Sequence, residues 1–108
     1  MLKQSGGSIV NVGSMSGIIS NKPQQQVHYN ASKAAVHMAT KSLAGEWATK
    51  GIRVNAVAPT YIDTDMTPMK RVGECDEIAS AVLFLGSNAS SLITGSILVV
   101  DAGYRIWW

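Results

Sequence analysis

Only one cysteine occurs in the 108 residues, at position 75. A lone thiol excludes an internal disulfide and a cysteine-built metal cluster. No activating partner for Cys75 stands out, so it is expected at the start of a helix without a chemical role. Long apolar runs are missing too. None approaches the roughly 20 residues that a membrane span needs. The opening Met1-Leu2-Lys3-Gln4-Ser5-Gly6-Gly7 has no apolar core of the signal-peptide kind. No membrane partner and a cytoplasmic location are therefore expected. Charge is scarce and balanced. Charged residues are 15% of the chain, the net charge is +2, and no basic cluster forms, so nucleic acid is not expected as a partner. His28 and His37 lack ligating neighbours at useful spacing. No metal is expected, and a surface or packing role is expected for both. Internal repeats, linkers and low-complexity tracts are also absent.

What is present suits one well-buried domain: 46% of the residues are hydrophobic. Ser8-Ile9-Val10-Asn11-Val12 is a β-branched run after a Gly-Gly turn and predicts a strand. Residues 13–27 carry Gly, Ser, Asn and Pro and read as a loop. The spacing predicts a helix over 28–49, with a small-residue face of Ala31, Ala34, Ala35, Met38, Ala39 and Ser42. Gly51 is its plausible C-cap. Residues 52–58 predict a second strand, ended by Pro59. Residues 74–85 predict a second helix, with Glu74, Asp76 and Glu77 in its first turn, where acidic groups suit the helix dipole. Gly86 closes it. Ile97-Leu98-Val99-Val100 is almost wholly apolar, as expected for a strand buried on both faces.

Strand, helix and strand in this order imply an α/β fold with parallel strands and a right-handed crossover. In such a sheet the strand C-termini share one edge, and ligands bind there. Ser14 follows the first strand at that edge, residues 59–64 follow the second, and the first helix must begin there. The 13–27 connection exceeds the 2–6 residues usual for such loops, and long ordered loops are often functional.

Tyr29 and Lys33 open that helix in the run Tyr29-Asn30-Ala31-Ser32-Lys33. Four residues apart, they lie on one helix face. A cation held beside a phenol favours the phenolate, which makes the phenol a usable proton donor and acceptor.

This pair resembles the Tyr-x-x-x-Lys signature of the short-chain dehydrogenase/reductase family. Asn11-Val12-Gly13-Ser14-Met15-Ser16-Gly17 resembles the family's Asn-x-[Ser/Gly]-Ser-x-x-Gly strand end. Residues 53–59 look like its strand before the nicotinamide loop, and residues 94–104 like its last strand and C-terminal turn. The resemblance implies reversible hydride transfer between NAD or NADP and an alcohol/carbonyl pair. It implies Tyr29 as the acid/base, Lys33 beside it on the nicotinamide ribose, and Ser14 bonding the substrate oxygen, with Ser16 as the rival serine. Pro59, Ile62 and Thr64 would hold the nicotinamide. Asn11 and Asn55 are expected to tie backbone together. A homo-oligomer is implied, and a polyol substrate, with the ketoacyl reductases close behind.

Two departures accompany the match. The family's Gly-rich turn, its NAD/NADP-selecting residue and its Asn-Asn-Ala-Gly segment are absent, as is the asparagine that completes the catalytic tetrad. The substrate lid after the nicotinamide loop is expected to be deleted, and Thr60 stands where the family usually has glycine. The expected fold is thus the C-terminal half of a Rossmann-like doubly wound parallel sheet, with residues 1–108 forming a partial domain. The expected function is that of a truncated NAD(P)-dependent oxidoreductase. The alternative is a non-enzymatic fragment that keeps only packing and subunit-contact surfaces. Trp107 and Trp108 would pack against a neighbouring subunit or trail as a tail.

Overall fold

The computed structural model describes residues 1, 4, 6–20, 25–60 and 67–107. Three strands, β1 (Gly7–Val12), β2 (Ile52–Pro59) and β3 (Ile97–Val100), form one sheet in the order β1-β2-β3, with both pairings parallel. Two helices connect them: α1 (Val27–Trp47) between β1 and β2, and α2 (Cys75–Gly86) between β2 and β3. The expected α/β architecture is therefore present. Among the described residues no helix is long and apolar enough to cross a membrane.

The strand period of two sorts the contacts to opposite faces. Ile52 and Val54 pack with Ala44 of α1, and Ile9, Leu43 and Trp47 lie against them. On the same face Asn11 donates to Thr40 of α1 at 3.0 Å. The alternate residues reach α2: Ser8 Oγ and Arg53 Nη1 both donate to the Leu85 carbonyl, at 2.9 and 3.2 Å. One helix thus covers each face, as in a doubly wound sheet. Central β2 is the most deeply buried strand; Val54, Ala56, Val57 and Ala58 have no exposed surface.

Polar residues finish what the ladder leaves undone. Asn55, buried within β2, donates to the Ile93 carbonyl at 2.9 Å and accepts from Ser96 N–H at 2.9 Å. It pairs backbone groups just before β3 begins, as expected. Asn11 departs from expectation, since it ties the strand to a helix side chain rather than to backbone. Arg53 gathers the carbonyls of Leu85, Ser87, Ser90 and Ile93. The cation thereby ties the last turn of α2, at Leu85, to the segment that follows it, from Ser87 to Ile93.

Four readings change. β2 does not stop before Pro59 but includes it as its last residue, opposite Val100. Proline tolerates this place because the strand stops there and needs no further donor. The 13–27 loop contains a 3-10 turn at Met15–Gly17. β3 is only half-buried along its whole length; among the described residues it pairs with β2 alone, so its apolar composition does not bring full burial. Gly51 caps not α1 itself, whose C-cap is Ala48, but the 3-10 turn Ala48–Lys50 that follows it, in the left-handed conformation at φ 74°.

Candidate functional site

The C-terminal end of β1 and the first turns of α1 build one patch. The ladder continues past β1 through Gly13 N–H, which donates to the Val57 carbonyl at 2.8 Å. Ser14 then takes an extended conformation (φ −163°, ψ 151°) and caps the 3-10 turn. Its Oγ accepts from Ser16 N–H at 3.1 Å, so the hydroxyl proton remains available to donate. Ser14 and Ser16 are both buried, at 8% exposure each. Met15 between them is fully buried and pins the turn to the protein.

Helix α1 meets this strand end with side chains three or four residues apart, which share one helix face. Lys33 Nζ donates to the Val12 carbonyl at 3.4 Å. His37 Nε2 accepts from Ser14 N–H at 3.2 Å. Thr40 Oγ1 accepts from Asn11 Nδ2 at 3.0 Å and donates to the Val36 carbonyl at 2.8 Å. One turn before Lys33 stands Tyr29, half-exposed, with Lys33 Nζ 5.7 Å from its ring centroid, within cation–π range. A partly exposed phenol, an ammonium and a serine turn thus share the edge where parallel strands end. Of the predicted site residues, the structure brings Ser14, Tyr29 and Lys33 to that edge. Pro59 ends β2 at the same edge, paired with β3. Ile62 and Thr64 lie outside the described residues, as does Trp108.

His37 has more structure around it than the sequence reading gave it. Its ring is buried and sits between two glycines. A Cβ on Gly13 would collide with Nε2, and one on Gly17 would come within 2.8 Å of Cε1. Desolvation holds the imidazole below its usual pKa, with Lys41 and Lys33 pushing the same way. A hydrogen bond to the Gly17 backbone works against them. The expected packing role holds, but the contact with Ser14 was missed. The spacing Tyr29, Lys33, His37 places all three on one helix stripe, but it does not give the partner of the ring. His28 is exposed. Cys75 is exposed at the first position of α2, as expected. Among the described residues no group of three or more His, Cys, Asp or Glu side chains could hold a metal.

Lys33 spends one of its three N–H donors on Val12 and so retains donors for a diol such as a ribose. The donor set fits the nicotinamide end of a dinucleotide.

Fold and site together define a member of the short chain dehydrogenase family: that family matches residues 1–74, and a second description, enoyl-(acyl carrier protein) reductase, matches residues 64–105. The chain belongs to this family of oxidoreductases. It is 56% identical to galactitol 2-dehydrogenase of Rhizobium johnstonii, over 99% of this chain and 48% of that one. Among solved structures, gox2181 superimposes with a TM-score of 0.94 at 54% identity, over 99% of this chain and 48% of that one. A 3-oxoacyl-[acyl-carrier protein] reductase with bound NAD from Brucella melitensis gives 0.91 at 36% identity, over 97% and 44%. The chain spans about half the length of the curated relatives it matches.

Proposed function

We propose that this chain carries the substrate and nicotinamide half of an NAD(P)-dependent dehydrogenase acting on a polyol and its ketose. The observation that carries this reading is the line of Tyr29, Lys33 and His37 along α1, clamped to the end of β1 next to Ser14. In the oxidation direction Tyr29 accepts the substrate hydroxyl proton, and in reduction it returns that proton to the carbonyl oxygen. Lys33 stands beside the phenol and offers its remaining donors to the ribose. Ser14 donates its hydroxyl proton to the substrate oxygen, where charge develops. Hydride acceptance is supplied by the nicotinamide ring when it is bound. Pro59, Ile62 and Thr64 are assigned to the nicotinamide by their place after β2. The choice of a polyol rests on the identity with galactitol 2-dehydrogenase. A homo-oligomer and a cytoplasmic setting belong to the same reading.

The second reading is a non-enzymatic fragment that keeps only packing and subunit-contact surfaces. The alignment with the Rhizobium enzyme runs over 124 positions, more than the 108 residues here. That relative therefore has residues this chain lacks, as a deleted lid would require.

Titrating NADH against tryptophan emission, with a polyol turnover assay beside it, separates the readings. The chain alone is expected to bind weakly and turn over nothing, because it has no phosphate-cradling turn. Micromolar binding with turnover would overturn the fragment reading. Where turnover is seen, Tyr29→Phe is expected to lower it by roughly 10²–10⁴-fold, and Ser14→Ala to hurt far more than Ser16→Ala. A Tyr29→Phe variant of undiminished rate would reject the acid/base assignment.

A further inference from the structure

The proposed chemistry does not use the buried bond between Ser14 N–H and His37 Nε2 at the site. We propose that His37 is a positioning residue: as a neutral ring it latches the Ser14 turn onto α1, and protonation of the ring opens the latch. This rests on the reading of Ser14 as the hydroxyl that meets substrate.

Two independent features build the latch. The first is donor logic. A ring nitrogen that accepts an N–H must carry a lone pair, so the neutral ring has its proton on Nδ1. A second proton would go to Nε2 and set an N–H against the Ser14 N–H. The bond would be lost, and the buried Ser14 amide would have no partner. The second is shape. Gly13 and Gly17 flank the serine turn, and a side chain on either would strike the imidazole. The ring is therefore seated in a slot that these glycines leave open. Lys33 and Thr40, one turn to either side on α1, hold Val12 and Asn11. The strand end is thus gripped at three successive places, and His37 supplies the one nearest the hydroxyl.

The surroundings set how much acid the latch needs to open. His37 borders a hollow of about 420 Å³ between α1 and β3, which gives protons a route to it. Lys41 of α1 and Arg105 of the C-terminal turn line the same hollow, Lys33 is near on α1, and no acidic side chain lines it among the described residues. Burial, and after it Lys41 and Lys33, favour the neutral, latched ring at neutral pH and oppose its protonation.

The test is an NMR titration of the ¹⁵N-labelled chain without substrate or cofactor. At pH 7.5 the His37 ring is expected as the Nδ1–H tautomer. The Ser14 amide shift is expected to follow the His37 titration with the same midpoint, below 6.5. His37→Gln, which keeps an acceptor, is expected to retain the Ser14 amide position and remove its acid titration. His37→Leu is expected to move that amide and speed its hydrogen exchange roughly tenfold, the scale of one lost hydrogen bond. If His37→Leu fails to fold, the wild-type titration and His37→Gln still decide. A Ser14 amide indifferent to His37 protonation, or an Nε2–H tautomer at pH 7.5, would overturn the latch. Because no turnover is read, a failure of the dehydrogenase assignment shows up only in the Tyr29→Phe assay and not here.

Discussion

Gly13 has no room for a methyl group. A Cβ there would collide with His37 Nε2, lie 2.5 Å from Cδ2 and press on the Val57 carbonyl at 3.3 Å. The ring cannot retreat freely, since it is buried against α1 and bonded to Ser14. Gly13→Ala is therefore expected to destabilise the chain by about 1–3 kcal/mol, the range for forced overpacking. Urea unfolding of Gly13→Ala, His37→Ala and the double variant checks it. The double variant should recover part of the loss, because its two sites share the clash. Strictly additive losses would place the strain elsewhere. At this scale Tyr29, Lys33 and Ser14 were legible in the sequence, because helix period and strand end fix their positions locally. His37 was not. Its partner is 23 positions away, and nothing local announces a backbone amide that needs an acceptor.

Helix α1 has two faces, and the structure decides which is turned inward. The face with His37, Thr40 and Ala44 is buried, while Ala31, Ala34, Ala35, Met38, Ala39 and Ser42 are exposed. The small-residue face was correctly seen as a face but lies away from the sheet. Helix α2 was the more readable element. Glu74 caps it, and Glu77 completes a reciprocal capping box. Glu77 also forms a bidentate pair with Arg71 at 2.6 and 2.7 Å. The bonds from Arg71, then the Glu74 backbone N–H, hold its carboxyl at about 2 against an ordinary 4.5. Between those values the unfolded chain binds the proton and the folded chain does not. The stabilisation is thus fully present above about pH 4.5 and lost as pH falls toward 2. The pair is exposed, so its contribution is modest and weakens with salt. Melting temperatures of the wild type and Glu77→Gln are expected to converge between pH 5 and pH 2.5. Parallel curves over that range would remove the pair from the stability of α2.

At the scale of the whole molecule the chain is open. Its radius of gyration is 14.8 Å, against about 13 Å for a closed domain of this length. β1 pairs with β2 alone, so among the described residues its outer edge has no strand partner. Val12, Val27, Met38, Leu83, Leu92 and Ile106 expose apolar surface. Unpaired edges recruit other chains, and a sheet of three strands is near the lower limit for independent stability. The chain is expected to self-associate. Size exclusion with light scattering over a concentration series checks this, and a monodisperse monomer with a cooperative melt would contradict it.

The sequence by itself determined the elements and their order, because hydrophobic period, capping residues and turn glycines act over a few neighbours. It also determined the edge where Ser14, Tyr29 and Lys33 meet, because parallel connections leave little choice of direction. Only the tertiary structure decided what holds that edge in place. The grip of Lys33, His37 and Thr40 on β1, the span of Arg53 across the carbonyls after α2, and the half-burial of β3 all depend on contacts between segments distant in the chain. Such contacts exist only once the backbone has folded, and no local pattern encodes them.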